Sequence, residues 1–200
     1  AINPAFEAVK LLPDTIEGAK IHKLEIPTVF KKDGEVLAKA IEEQNPDIVI
    51  CVGQAGGRSD ISVEKVAINL MEARIPDNEE QQPLNQVIYE DGETAYFATL
   101  PVKAMVSNVK EAGIPSSVSY TAGTFVCNDI MYRLLYLADK EGKNLKGGFI
   151  HVPYLPEQVI DLPVGTPSLS VETIAKGLEA AVAAAVINDE DQNVAMGTIM

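Results

Sequence analysis

Tryptophan is absent from this 200-residue sequence, and cysteine and histidine occur only twice each. Two cysteines in a chain of this length do not make a disulfide framework, so the composition favours the reducing environment of the cytoplasm. Neither cysteine has a second cysteine or a histidine at metal-ligand spacing. We therefore expect no zinc site.

Basic residues and long apolar runs are also scarce. The chain has 16 Lys and Arg against 29 Asp and Glu, for a net charge of −13, and its basic residues do not cluster. This charge makes nucleic acid and anionic membranes poor candidates as partners. The longest apolar run, residues 180–187, is too short to span a bilayer. We expect neither a nucleic-acid partner nor a membrane partner.

Segments of strand length and helix length alternate along nearly the whole chain. This alternation predicts an α/β fold, a three-layer sandwich with a twisted, mostly parallel (mixed) sheet between helices on both faces. The apolar content of 46% suits a single domain over residues 1–200. Ligands of such folds bind beyond the carboxyl ends of the strands. The predicted helices cover residues 4–12, 33–44, 102–112, a segment that starts near 127, and 170–187; the predicted strands cover 20–29, 47–53, 62–72, 94–100, 118–121 and 147–152.

Cys127 is predicted to lie in the first turn of a helix. Apolar residues at positions 130, 131, 134, 135 and 138 have the spacing of one buried helix face, and a turn at Gly123 and Thr124 precedes them. Free N–H groups and the helix dipole favour an anion in a first turn, which would make a thiol there a better nucleophile. The alternative is a small buried core residue, the ordinary role of a free cysteine.

Two cysteines and two histidines allow only four thiol–imidazole pairs. Cys51 lies inside a strand predicted to be buried, and His22 lies early in its strand, away from the expected crevice. Cys127 begins a helix and His151 ends a strand, so this pair is predicted to meet at the crevice. A cysteine hydrolase needs such a pair, because the imidazole takes the thiol proton and later returns one to the leaving amine. The alternative for His151 is a hydrogen-bonded histidine of the core.

A third residue should orient the imidazole, but spacing alone cannot choose among the 29 acidic residues. Glu64 is attractive because it lies in an otherwise apolar strand, where a lone carboxylate needs a partner. Its alternative is a position on the solvent side of that strand. The glycine-rich loop 53–57 matches neither the dinucleotide fingerprint nor the P-loop, so close approach of a substrate amide suits it better than phosphate binding.

Five blocks of sequence resemble, in order, those of the pyrrolidone carboxyl peptidases, also called pyroglutamyl peptidase type I. The resemblance covers essentially the full chain, and five blocks in order are far more specific than one motif. The blocks are residues 53–58 (GQAGGR), 64–69 (EKVAIN), 73–78 (ARIPDN), 122–128 (AGTFVCN) and 148–154 (GFIHVPY), the last followed by 156–158 (PEQ).

The resemblance implies a cytoplasmic cysteine exopeptidase with a phosphorylase/hydrolase-like fold. Its substrates would be peptides with an N-terminal pyroglutamyl group, hydrolysed through a thioester acyl-enzyme. It would need no cofactor and no metal, and it would form a homotetramer.

The resemblance also assigns roles to individual residues of this chain. Cys127 would be the nucleophile, His151 the general base and then acid, and Glu64 the residue that holds the imidazole. Arg74 would stand near the developing oxyanion, where a fixed positive charge is worth several kcal/mol. The walls of an apolar pocket for the lactam ring would come from Phe125, Val126, Ile75 and Thr28, with Gln54 in the polar loop beside it. For Phe125 the alternative is ordinary core packing.

The sequence departs from the family pattern at its start. Members of the family carry an apolar strand and an aromatic, glycine-rich loop before the Asn-Pro that stands here at Asn3 and Pro4. That segment is expected to supply a central strand and aromatic pocket residues. A non-catalytic protein that binds pyroglutamyl ends, or only forms oligomers, is therefore the alternative function. An amidase that uses the same thiol–imidazole pair on another small acyl group is a third.

Overall fold

The computed structural model describes residues 2–140, 142 and 144–198. Helices and strands alternate within this part of the chain. The helices are α1 (Pro4–Lys10), α2 (Lys32–Gln44), α3 (Val102–Glu111), α4 (Val126–Lys140) and α5 (Val171–Ile187). The strands are β1 (Thr15–Ile16), β2 (Ala19–Lys20), β3 (Ile48–Gln54), β4 (Ile61–Glu64), β5 (Val66–Ile68), β6 (Ala95–Phe97), β7 (Ser116–Ser119) and β8 (Lys146–Val152).

The central sheet contains four strands in the order β3-β8-β4-β7. β3 runs parallel to β8 and β7 runs parallel to β4, whereas β4 and β8 are antiparallel. The mixed sheet is flanked by helices, which confirms the predicted α/β sandwich. Two short ribbons, β1-β2 and β5-β6, lie outside the central sheet.

Small residues let the helices pack closely on both faces of this sheet. On β8, Gly147 lies against Leu134 of α4, whereas the adjacent Gly148 lies against Leu100. Successive residues of a strand point to opposite faces, so α4 covers one face and the segment before α3 reaches the other. Gly177 of α5 lies against Ile61 of β4. Helices α2 and α4 pack together, and α5 contacts both α1 and α3.

Side-chain caps begin two of the helices, α1 and α5. Asn3 accepts a hydrogen bond from the Phe6 N–H ahead of α1, and Ser170 accepts one from the Thr173 N–H ahead of α5. These caps satisfy donors that have no partner within the helix. None of the helices in the described ranges is both long enough and apolar enough to cross a membrane.

Two predicted strands differ from the structure. The strand predicted over residues 20–29 is wrong, because only Ala19–Lys20 pairs as β2 and residues 21–27 are irregular. Alternation of apolar and polar residues is a local pattern, whereas a strand also needs a neighbouring strand that accepts and donates its backbone hydrogen bonds. The strand predicted over residues 62–72 is two strands, β4 in the central sheet and β5 in the ribbon with β6.

Candidate active site

The Cys127 thiol lies against the strand position that pairs with His151. In the parallel ladder of β3 and β8, Gly53 is the partner of His151. A methyl group added at Gly53 would lie 3.0 Å from Cys127 Sγ and 2.7 Å from the ring of Phe149. Adjacent strands are separated by about 4.8 Å, so the thiol and the imidazole share one face and one end of the sheet. Glycine at position 53 leaves the space that the sulfur occupies.

Glu64 contacts the imidazole of His151 from the neighbouring strand. Glu64 is fully buried and pairs with Phe149 in the antiparallel ladder of β4 and β8, so its side chain is diagonal to His151 on the same face. His151 Nδ1 lies 2.7 Å from Glu64 Oε1. A proton on Nδ1 donated to this carboxylate leaves Nε2 as the free acceptor of the ring. The alternative of a solvent-facing Glu64 is excluded by its burial.

Arg58 contacts the same carboxylate, and the sequence reasoning gave it no role. Its Nη1 lies 2.6 Å from Glu64 Oε1, and its Nη2 donates to the Thr121 carbonyl at 3.0 Å. Glu64 Oε2 has no hydrogen-bond partner among the described residues. The only signal in the sequence was the position of Arg58 at the end of the glycine-rich block.

The environment of Cys127 opposes ionisation of its thiol. Helix α4 begins at Val126, so Cys127 lies in the first turn as predicted. Even so, burial raises the pKa of the Cys127 thiol to about 12, and the negative charges of Glu64 and Asp33 add to the increase. The positive charge of Arg58 acts in the opposite direction. The expected thiolate stabilisation by the helix end is therefore outweighed, and the resting thiol is neutral at physiological pH.

Asn128 fixes the first turn of α4 to strand β5. Its side chain is fully buried, accepts a hydrogen bond from the Ile68 N–H and donates to the carbonyls of Ile68 and Leu70. The amide group thus provides partners for backbone groups at the end of β5 and at Leu70 just after it. Because Asn128 follows Cys127 directly, this clamp sets the position of the sulfur.

Replacing Asn128 by alanine is expected to destabilise the protein by about 2–4 kcal/mol, because three buried backbone groups lose their partner. Urea unfolding followed by circular dichroism measures this loss. Asn193→Ala, at an exposed position, is the matched control. A loss below about 1 kcal/mol for Asn128→Ala would show that water or neighbouring groups replace the clamp.

Phe125, two residues before Cys127, packs against Phe30. Phe125 is half-buried and packs edge-on against the buried ring of Phe30, with centroids 5.3 Å apart and an interplanar angle of 89°. Val126 is buried, and Thr28 is exposed two residues before Phe30. The sequence reasoning missed Phe30, whose N–H donates to Asp77 Oδ2 at 2.9 Å.

The segment that carries Arg74 and Ile75 is attached close to the start of α4. The Glu72 N–H donates to the Thr124 carbonyl, and the Thr124 hydroxyl donates to the Glu72 carbonyl. Arg74 and Ile75 are both exposed, and the Arg74 side chain forms no hydrogen bond or ion pair within the described ranges. Its guanidinium is thus unengaged among the described residues, two positions after the residue that bonds to Thr124.

Gln54 bonds to the segment that follows β8. Gln54 Oε1 accepts a hydrogen bond from Gln158 Nε2 at 2.9 Å, which ties the end of β3 to the segment after β8.

A depression of about 200 Å³ beside Phe30 is lined by side chains that do not include the thiol or the imidazole. Its lining residues are Phe30, Lys31, Met71, Gln81, Gln82, Pro83 and Gln86.

A second set of buried charges lies beneath the start of α4. Asp129 Oδ2 accepts hydrogen bonds from Arg133 Nε at 2.9 Å and from the Lys31 N–H at 3.1 Å. Burial and the charge of Asp129 raise the pKa of Asp33 to about 8. In the part of the chain that the structure describes, no group of three or more His, Cys, Asp or Glu side chains is arranged to hold a metal ion.

Comparison with known proteins places this chain among close relatives. The profile of the family described as pyroglutamyl peptidase matches residues 1–188. A pyrrolidone-carboxylate peptidase of Clostridium perfringens (strain SM101 / Type A) is 58% identical over 199 residues, which are 100% of this chain and 93% of that protein. One of Enterococcus faecalis is 59% identical over 198 residues, 99% of this chain and 92% of that protein.

Solved structures give the same result. Pyroglutamyl peptidase I from Bacillus amyloliquefaciens superposes with a TM-score of 0.94 at 47% identity, over 98% of this chain and 92% of that one. A mutant pyrrolidone carboxyl peptidase from Pyrococcus furiosus superposes with a TM-score of 0.88 at 42% identity, over 92% of this chain and 91% of that one.

Proposed function

This chain belongs to the pyroglutamyl peptidase family, which is a family of cysteine omega peptidases, and from that premise we propose its catalytic mechanism. The enzyme hydrolyses the bond after an N-terminal pyroglutamyl group of a peptide through a thioester acyl-enzyme. Cys127 is the nucleophile, His151 the general base and then acid, and Glu64 the residue that orients the imidazole. The observation that carries the proposal is the 2.7 Å contact of His151 Nδ1 with Glu64. Cys127 Sγ lies against Gly53, which is the ladder partner of His151.

Proton transfer and bond formation are coupled in the first half of the reaction. Because burial raises the pKa of the Cys127 thiol, His151 Nε2 takes the thiol proton as the sulfur bonds to the pyroglutamyl carbonyl carbon. The tetrahedral intermediate then collapses, the scissile C–N bond breaks, and the imidazolium gives its proton to the leaving amine. In the second half, water gives a proton to His151 and attacks the thioester, and pyroglutamate leaves as the sulfur regains its proton.

The charge that develops on the carbonyl oxygen is stabilised by donors at the start of α4. The N–H groups of a first helical turn have no partner within the helix and can donate to an oxyanion. Arg74, whose guanidinium is unengaged within the described residues, adds a positive charge from the segment attached at Thr124. Both act most strongly when the oxygen is an anion, and so they favour the transition state over the bound substrate.

The pocket suits a neutral five-membered ring. Phe125, supported edge-on by Phe30, offers an apolar surface two residues before the nucleophile. Val126, Ile75 and Thr28 complete the walls, and Gln54 offers an amide group to the lactam N–H and C=O. Pyroglutamate has no free amine, so recognition rests on ring packing and a few hydrogen bonds.

A panel of fluorogenic amides tests the proposed specificity. We expect kcat/KM for the pyroglutamyl amide to exceed that for the prolyl amide by about 10³-fold or more, because the prolyl ring lacks the lactam carbonyl and carries a charge. Prolyl amide is the matched control, since its ring has the same size. Equal turnover of the two, or faster turnover of another acyl amide, would contradict the proposal. The homotetramer and the cytoplasmic location remain predictions.

A further inference from the structure

Glu64 Oε1 is shared by two donors that arrive from different parts of the chain. His151 Nδ1 lies 2.7 Å from this oxygen and Arg58 Nη1 lies 2.6 Å from it. Arg58 also donates from Nη2 to the Thr121 carbonyl, beyond the end of β7. The planar guanidinium therefore bridges the carboxylate and the backbone of a third segment.

The loop that carries Arg58 is itself held in place. The Ala55 N–H donates to the Val152 carbonyl at the end of β8, and the Arg58 N–H donates to the Ala55 carbonyl. Gly57 has a φ of +92°, a conformation that glycine adopts without strain. Gly56 lies so close to Tyr154 that any side chain at position 56 would collide with the tyrosine ring. The loop thus presents Arg58 at a fixed position beside the catalytic histidine.

A carboxylate buried as deeply as Glu64 needs more than one donor. Glu64 is 0% exposed, and its other oxygen has no hydrogen-bond partner in the described part of the chain. A lone buried anion is strongly unfavourable, and a charged, bidentate donor is the residue type that compensates it best. A hydrogen bond from a neutral imidazole alone would leave the negative charge largely uncompensated.

We propose that Arg58 is a positioning residue that acts through Glu64, holding the carboxylate directed at His151 Nδ1. This role rests on the mechanism proposed above, in which His151 Nε2 takes the thiol proton. Without Arg58 the carboxylate would rotate, and the imidazole would lose the contact that fixes its tautomer and orientation.

Arg58 has a second effect on the thiol. The charged and titratable groups around Cys127 are Glu64 on β4, Asp33 on α2, Cys51 on β3, His151 on β8 and Arg58 in the loop before β4. Both carboxylates raise the pKa of the thiol, and Arg58 lowers it. Removal of the arginine charge therefore leaves the effect of these carboxyl groups on the pKa of the thiol unopposed, and less thiolate forms at a given pH.

The test compares Arg58→Gln, Arg58→Lys and the surface control Lys39→Gln in the full chain. We expect Arg58→Gln to lower kcat by about 30-fold or more while KM changes by less than about threefold, because Arg58 acts on the imidazole rather than on substrate. Arg58→Lys keeps the charge but loses the planar fork, so its kcat should fall between those of the other two. Lys39→Gln removes the same charge from an exposed side chain and should leave kcat unchanged.

A double-mutant cycle separates this role from a merely structural one. In a Glu64→Gln background, which removes the buried anion, we expect Arg58→Gln to cost less than about threefold in kcat. Alkylation of Cys127 by iodoacetamide, followed by mass spectrometry of its peptide, should be about threefold or more slower in Arg58→Gln than in Lys39→Gln at the same pH.

Two results would overturn the role of Arg58. One is a kcat and an alkylation rate in Arg58→Gln equal to those of Lys39→Gln. The other is the same loss from Arg58→Gln with and without Glu64, because the arginine would then act elsewhere. A lack of turnover by the unchanged protein would instead contradict the proposed function, and the alkylation rates would still decide the position of Arg58.

Discussion

Replacement of Cys127 by serine is expected to lower kcat on a pyroglutamyl amide by about 10⁴-fold or more, because no other nucleophile is assigned to the acyl transfer. The serine hydroxyl is a far weaker nucleophile than a thiol in the same position. Substrate binding should change little, since the ring pocket is made by other side chains. Steady-state kinetics with a fluorogenic pyroglutamyl amide measures both quantities.

Cys51 provides the matched control, because it is the only other cysteine of the chain. It is buried within β3, and burial raises the pKa of its thiol to about 12, as it does for Cys127. The two thiols therefore differ in solvent access and in their neighbouring side chains rather than in the direction of their pKa shift. Cys51→Ala should keep kcat within about threefold of the unchanged protein. Equal losses in the two variants would mean that the effect of Cys127→Ser comes from disturbed packing.

Replacement of His151 by alanine is expected to lower kcat by about 10³-fold or more, since the neutral thiol loses its proton acceptor and the leaving amine loses its donor. The imidazole carries both proton transfers, so no single remaining group replaces it. His22→Ala is the matched control, because His22 is exposed and is the only other histidine of the chain. Retention of more than a tenth of kcat in His151→Ala, measured with the same amide, would rule out the assigned role.

The elements specified by local sequence could be predicted. The capped starts of α1 and α5, the length of β8 and the first-turn position of Cys127 follow from residues close together in the chain. The α/β sandwich followed from the alternation of these elements. The end of β8 and the end of the segment before α4 were also expected at the same edge of the sheet. Cys127 and His151 could therefore be predicted as a pair.

Contacts between distant segments could not be predicted from periodicity. The strand order β3-β8-β4-β7 places β4 antiparallel to β8, and only this pairing puts Glu64 diagonal to His151. The convergence of Arg58 and His151 on one oxygen of Glu64 depends on the same pairing. No local pattern separates Glu64 from the other acidic residues. Spacing therefore could not assign the residue that orients the imidazole, and the resemblance to known sequences assigned it.

The electrostatics of the thiol depend on burial, which sequence shows only indirectly. The helix start correctly located Cys127, but it predicted a stabilised thiolate. Burial and the nearby carboxylates of Glu64 and Asp33 have the opposite and larger effect on the pKa of the thiol. In the proposed mechanism His151 therefore takes the proton during attack, rather than holding a preformed ion pair with the thiolate.

The most direct test of the mechanism is the covalent intermediate itself. The protein is mixed with a pyroglutamyl amide, quenched in acid during turnover, digested and examined by mass spectrometry. Our account predicts a mass increase of one pyroglutamyl group on the peptide that contains Cys127, and none on the peptide that contains Cys51. Turnover with no acyl group on Cys127, or with the acyl group on another residue, would contradict it.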